Sequence, residues 1–314
     1  MIETRDLRKT YRSRSGPVEA VRGVDLVVKS GEIYGLLGPN GAGKTTTMRM
    51  LATLIPPTSG AATVADVDLL ARPREVRRRI GYVAQGGSTD RDMPARRELY
   101  QQGRFHGLSR AEAGSRADET IGALRLTEIA ERPVKTYSGG QARRLDIAIG
   151  LVHRPTLLFL DEPTTGLDPQ SRAYLWDEVR KLRDDGTTIF LTTHYLDEAD
   201  ALCDRVAIVD HGLVVAEGSP AALKRDIAGE SIVIGSEVPL GVRDALAGMS
   251  GLRELTLGEN EVRAYVEDAA GALPAALRLL DSAGQSVTTA SVSRPSLDDV
   301  FLQKTGRSLR EVAA

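Results

Sequence analysis

The segment GPNGAGKT, residues 38 to 45, has the residue types and spacing of a phosphate-binding loop. Gly38, Gly41 and Gly43, with Pro39, Asn40 and Ala42 between them, let backbone amides close around phosphate oxygens. Lys44 adds a point charge, and the hydroxyl of Thr45, followed by Thr46, suits Mg²⁺. A chain of this composition matches that pattern by chance about 0.01 times. LLFLDEP, residues 157 to 163, reads as a buried strand ending in two carboxylates. Neighbouring strand side chains point to opposite faces, so Asp161 and Glu162 are expected to do different jobs. Asp161 suits a Mg²⁺ partner acting through water, and Glu162 can polarise a water aimed at a γ-phosphate. His194 follows TIFLTT at another strand end and is a candidate γ-phosphate sensor. In YSGGQ, residues 137 to 141, Ser138, Gly139 and Gly140 open a helix whose bare amides also attract anions. One nucleotide thus faces two phosphate cradles in a single chain.

The elements around these residues alternate short apolar strands with amphipathic helices up to about residue 220. Strands are expected at Ile33–Leu37, Ile80–Ala84, Leu157–Asp161, Thr188–Thr193 and Val206–Val209, with helices at Gln141–Val152 and Pro169–Asp184. That order calls for a mainly parallel sheet covered by helices. The first 30 residues read instead as antiparallel strands, IETRDL and VDLVV, around a turn holding Gly16 and Pro17. From about residue 225 the pattern becomes strand, helix, hairpin, helix, strand and a last helix at Ser296–Lys304, compatible with a small ferredoxin-like domain. No internal repeat is present, so the chain carries one nucleotide cassette.

The 314 residues suffice for two domains. With 41 basic against 43 acidic residues, the balance calls for no nucleic-acid partner. One cysteine, Cys203, excludes an internal disulfide and suits a reducing cytosol. No apolar run approaches the roughly 18 residues of a membrane span, and MIETRDLRKTYRSRS has no apolar core for a signal peptide, so a water-soluble, cytoplasmic chain is expected. The arginine-rich stretch RPREVRRR at 72 to 79 reads as a solvated helix face, with contact to anionic lipid headgroups as the minor alternative.

Together these residues resemble the ATP-binding subunit of an ABC transporter. GPNGAGKTT is similar to its Walker A, LLFLDE to its Walker B, and YSGGQ to its signature sequence. The resemblance makes Gln85 the Q-loop residue, a ligand of Mg²⁺ beside Thr45, with Asp161 acting on the ion through water; it makes Asp168 of TTGLD the D-loop residue, His194 the switch histidine and Tyr11 the aromatic that stacks on adenine. It implies ATP and Mg²⁺ as cofactors, with Glu162, His194 and Gln85 as the catalytic group. The implied fold is a P-loop cassette over residues 1–222, a mainly parallel sheet with an antiparallel β subdomain and a helical subdomain, followed by a small α+β accessory domain over 223–314. A narrower likeness, in KTYSGGQARRLDIA and PSLDDVFLQKTGR, is to the daunorubicin-resistance type of drug exporter, whose ATPase is a separate chain. That type usually reads YSGGM, where Gln141 stands here, and close to TGRENL, where this chain reads MPARREL.

The resemblance also accounts for the second cradle. In ABC proteins two cassettes pack head to tail, and Tyr137, Ser138, Gly139, Gly140 and Gln141 of one would close over ATP held by the other. The implied partners are a second copy and an integral membrane permease, at the cytoplasmic face of a bacterial membrane, exporting a small hydrophobic compound. The rival class is a soluble ABC ATPase without a transport role, of the scaffold or assembly type. Ribosome-binding members usually carry two cassettes, and DNA-repair members a long coiled coil; neither occurs here. Guanine nucleotide switches need an NKxD element, and the only asparagines are Asn40 and Asn260.

Overall fold

The computed structural model describes residues 1–14, 16–87, 89–226, 230–293 and 295–307. It forms two compact units, one over Met1–Ser219 and one that begins at Pro220. The expected boundary at 222/223 falls inside the helix Pro220–Asp226, which opens the second unit.

The first unit is organised by a six-stranded sheet. Its spatial order is Leu213–Gly218, Arg205–Asp210, Ile33–Leu37, Thr188–Thr193, Leu157–Asp161 and Ile80–Val83. All neighbours are parallel except the outermost pair, Arg205–Asp210 with Leu213–Gly218. IYGLL, LLFLD and TIFLTT are buried at every position, as strands covered on both faces must be. Tyr34 stacks on Phe190 at 5.7 Å, and Phe159 meets Phe190 edge-on at 5.5 Å. This apolar centre leaves the strand ends side by side, Leu37 in register with Thr193 and Asp161 with Thr192.

The N-terminal strands are antiparallel, as expected, but differ in extent from the expectation. Ile2–Ser13 forms a hairpin with Gly16–Val24, while VDLVV supplies only the short strand Val27–Val28. Asp25 interrupts it, because its carboxylate accepts the Asp6 N–H at 2.6 Å. A helical layer comprises Ala95–Phe105, Arg110–Ala123 and Gly139–Leu151. The arginine-rich helix Pro73–Arg79 has Glu75 pairing with Arg72 at 3.0 Å and Arg79 at 2.6 Å in solvent, while Val76 is its buried residue. It is a solvated face.

In the second unit Glu230–Gly235 lies between Glu261–Val266 and Thr289–Ser293, with Leu252–Leu257 outside, all antiparallel. Helices Pro239–Leu246 and Ala269–Ser282 bury Val242, Leu246, Ala276 and Leu280 against Ile232, Ile234 and Val262. The order is that of a ferredoxin-like split βαβ.

Candidate active site

The phosphate loop runs from the end of strand Ile33–Leu37 to the start of helix Lys44–Leu51. Gly43 caps that helix at φ 101°, and a Cβ there would stand 2.4 Å from the Ala20 carbonyl oxygen. At Gly38 a Cβ would meet the Val209 oxygen at 2.2 Å, so both positions demand glycine. Lys44 is buried and donates to the carbonyls of Gly38 (2.7 Å) and Pro39 (3.0 Å). Burial pulls its pKa down, opposed by the charges of Glu162 and Asp161. Its Nζ lies 3.9 Å from Glu162 Oε1.

A cavity of about 470 Å³ is lined by Asn40, Gly41, Lys44, Thr45, Gln85 and Glu162, among others. Asp161 stands behind Thr45. Its Oδ1 accepts from Thr45 Oγ1 at 3.0 Å and from Thr192 Oγ1 at 2.6 Å, and Tyr82 OH reaches Oδ2 at 3.4 Å. Glu162, one residue past the strand end, meets a different set of partners. Gln85 Nε2 donates to its Oε2 at 2.8 Å, and Thr165 Oγ1 donates to the same oxygen at 3.2 Å. His194 Nδ1, a buried atom without a well-aligned hydrogen bond, lies 3.3 Å from Oε1. The His194 ring is the first cause holding the Glu162 carboxyl below the usual carboxylate range; burial opposes it, and the Lys44 charge and Thr165 hydroxyl assist. The carboxylate is therefore ionised at neutral pH, the form a base needs.

The backbone at Glu162 has φ 44°, a left-handed conformation that costs a side-chain-bearing residue about 1–2 kcal/mol. It persists because its N–H is shared between Thr192 O and Oγ1, both at 3.1 Å. One buried Thr192 hydroxyl thus holds the Asp161 carboxylate and the Glu162 backbone, a role the sequence did not mark. Thr192→Val keeps the volume and removes both contacts. It is expected to destabilise the fold by about 1.5–3 kcal/mol, the range for a hydrogen bond to a charged group. Denaturant midpoints check this; Thr192→Ser should stay near wild type, and equal stability of Thr192→Val would contradict the assignment.

The signature segment is elsewhere. Ser138 caps the helix Gly139–Leu151 in a reciprocal box: Gln141 N donates to Ser138 Oγ at 3.3 Å, and Ser138 N to Gln141 Oε1 at 2.9 Å. Tyr137 is pinned by its hydroxyl, which donates to Ile129 O at 2.6 Å. Ser138, Gly140 and Gln141 line a cavity of about 250 Å³ with Leu167, Gln170 and Ser171. Asp168 belongs beside it, capping the helix Pro169–Asp184 through Ser171 N at 2.8 Å. Among the described residues, none lines both this cavity and the one at the phosphate loop. Tyr11 is 40% exposed beneath Lys9, outside the residues lining the phosphate-loop cavity, whereas Ala20 on the paired strand is one of them.

Residues 21–165 match the ABC transporter family, and residues 218–305 match the C-terminal domain of DrrA1-3-like ATP-binding proteins. The chain is 44% identical over 321 residues to the daunorubicin/doxorubicin resistance ATP-binding protein DrrA of Streptomyces peucetius, covering 99% of this chain and 96% of that one. It is 38% identical over 305 residues to the Nod factor export ATP-binding protein I of Burkholderia lata, covering 96% and 97%. Among solved structures, the dimeric post-hydrolysis state of an ATP-binding cassette bound to ADP and Pi superposes with a TM-score of 0.64 at 27% identity, over 70% of this chain and 98% of that one. The chain belongs to the ATP-binding subunits of ABC transporters, in the daunorubicin-resistance branch, and is an ABC-type ATPase.

Proposed function

We propose that this chain energises the export of a small hydrophobic compound, a drug or natural product, through a separate integral membrane permease. The observation that carries the site reading is the division of phosphate-binding features between two cavities that share none of the described residues. One supplies loop, lysine and base; the other supplies a capped helix N-terminus that suits a γ-phosphate presented by a second copy. In this reading two cassettes close head to tail, and each ATP forms part of the interface.

Lys44 and the loop amides hold the β- and γ-phosphates, displacing the lysine from the Gly38 and Pro39 carbonyls. Glu162 accepts a proton from the attacking water, while His194 and Gln85 orient the water and the γ-phosphate. The Thr45 hydroxyl and the Gln85 side-chain oxygen would hold Mg²⁺, with the Asp161 carboxylate, 3.0 Å from Thr45 Oγ1, reaching the ion through water; such an all-oxygen set suits a hard cation. Mg²⁺ bound there would neutralise charge developing on the phosphoryl oxygens. Loss of the γ-phosphate removes the bridge, and the pair opens.

No described helix is long and apolar enough to cross a membrane, so passage of the compound is assigned to the permease and this chain to its cytoplasmic face. Residues from about 223 onward are proposed as an accessory domain, since every nucleotide motif precedes them. Support for export comes from the names of the relatives. The test is transport: inverted vesicles carrying the full chain and its membrane partner should accumulate daunorubicin with ATP, and lose accumulation when Glu162→Gln replaces the native chain. Equal accumulation with the inactive variant would overturn the reading.

A further inference from the structure

Arg143 lies in the signature helix yet is only 7% exposed, and its guanidinium spends its donors on backbone. Nη2 donates to Asp161 O at 3.1 Å and Nε to Pro163 O at 2.7 Å. These two carbonyls flank Glu162, the residue at φ 44°. Nη1 donates to Ala84 O at 2.7 Å, the carbonyl immediately before Gln85, whose amide is bonded to the Glu162 carboxylate. Asp146, one turn along the helix, stands 3.7 Å from Nη1 and balances the charge. The same carboxylate packs against the loop after Gln85, where a Cβ on Gly87 would come within 3.1 Å of it. One planar fork therefore ties three chain segments: the signature helix, the strand end bearing the base, and the loop bearing its hydrogen-bond partner.

We propose that Arg143 is a positioning residue for hydrolysis, clamping the backbone on both sides of Glu162 and the start of the Gln85 loop to the signature helix. This rests on Glu162 being the base. Rotation of the signature helix would then move Glu162 and Gln85 as a unit, linking closure at one cavity to the geometry of the other. Lysine cannot replace the clamp: its donors radiate from one atom, whereas the three carbonyls are met by three nitrogens spread over a rigid plane.

The test uses the full chain and the Arg143→Lys variant, which keeps a charge beside Asp146. Steady-state ATPase activity, equilibrium ATP binding and the melting temperature are measured on Arg143→Lys, on Glu162→Gln and on the double variant. A displacement of about 1 Å at the reacting centre can lower turnover about 10²-fold, so Arg143→Lys should lose 10- to 100-fold in kcat, by that estimate, with ATP affinity within about 3-fold of wild type. Because Arg143 acts through Glu162, the double variant should be no slower than Glu162→Gln alone. Unchanged kcat in Arg143→Lys would overturn the proposal. So would a parallel loss of ATP binding and melting temperature, which marks a residue holding the fold, or a further loss of rate on the Glu162→Gln background. Near-normal activity of Glu162→Gln by itself would instead remove the assignment of the base.

Discussion

Replacing Glu162 by glutamine is expected to lower ATP turnover about 10²- to 10⁴-fold, the usual contribution of a general base, while ATP binding survives. The amide keeps the shape that Gln85 and Thr165 contact but has no charge and accepts no proton. Nucleotide affinity rests on the loop amides and Lys44, which the substitution leaves in place. Removing a negative charge 3.9 Å from Lys44 Nζ should leave affinity equal or slightly higher. Rapid-mixing turnover and equilibrium binding of ATP separate the two effects, and near-normal turnover would end the role of Glu162. The pH profile gives a second check. The native pKa of Glu162 is depressed, so the carboxylate is ionised through the neutral range and its contribution disappears only as pH falls through that lowered value. The acid limb assigned to Glu162 should therefore lie below the usual glutamate range. A limb near neutral pH would point to another group.

What the sequence reveals and conceals follows from which atoms do the work. The phosphate loop is legible because glycine at Gly38 and Gly43 is forced by carbonyls 2.2 and 2.4 Å from any added Cβ, and only specific residue types satisfy that geometry. Asp161, Glu162 and His194 are legible because strand ends gather in parallel register, so a polar residue closing an apolar run falls at the ligand edge. Arg143 and Thr192 were missed because their partners are largely backbone groups, and a carbonyl leaves no signature in residue type. Ala20 reaches the cavity as the extra residue of a hairpin irregularity, between the pairs Lys9–Val21 and Thr10–Glu19, which periodicity does not fix. The C-terminal unit was readable as an order of strands and helices because its burial alternates clearly, as in Val262, Ala264 and Val266 inside against Glu261 outside. Its edge strands, Leu252–Leu257 and Thr289–Ser293, lack fully buried positions; the first lies where LRELTL puts it, and the second is shifted by one or two residues from where apolar content alone would put it.

The separation of the two cavities makes a result expected from two inactive variants mixed together. Lys44→Ala removes the charge that lies over the phosphate loop, so ATP binding itself should fall, and the homodimer should be inactive. Ser138→Arg places a bulky cation at the cap of the signature helix, where Ser138 Oγ and Gln141 now close the box at 3.3 Å. The fold should survive, since this cap is exposed and a lost N-cap costs about 1 kcal/mol, but closure over a partner's ATP should fail. In a heterodimer of the two, head-to-tail packing assigns both lesions to one composite site. The other site then joins an intact loop to an intact signature. If each chain closed its own signature over its own nucleotide, every site would carry one lesion and nothing would recover. Heterodimers isolated through two different affinity tags should therefore regain ATPase activity that neither homodimer shows, up to roughly half of wild type where each site works independently. A control heterodimer pairing the wild-type chain with a chain carrying both substitutions has one lesion-free loop and one lesion-free signature, but on the same chain. Head-to-tail packing places those two halves in different sites, so this control should stay inactive. Activity in the control and none in the mixed pair would reverse the geometry and return both phosphate cradles to a single nucleotide.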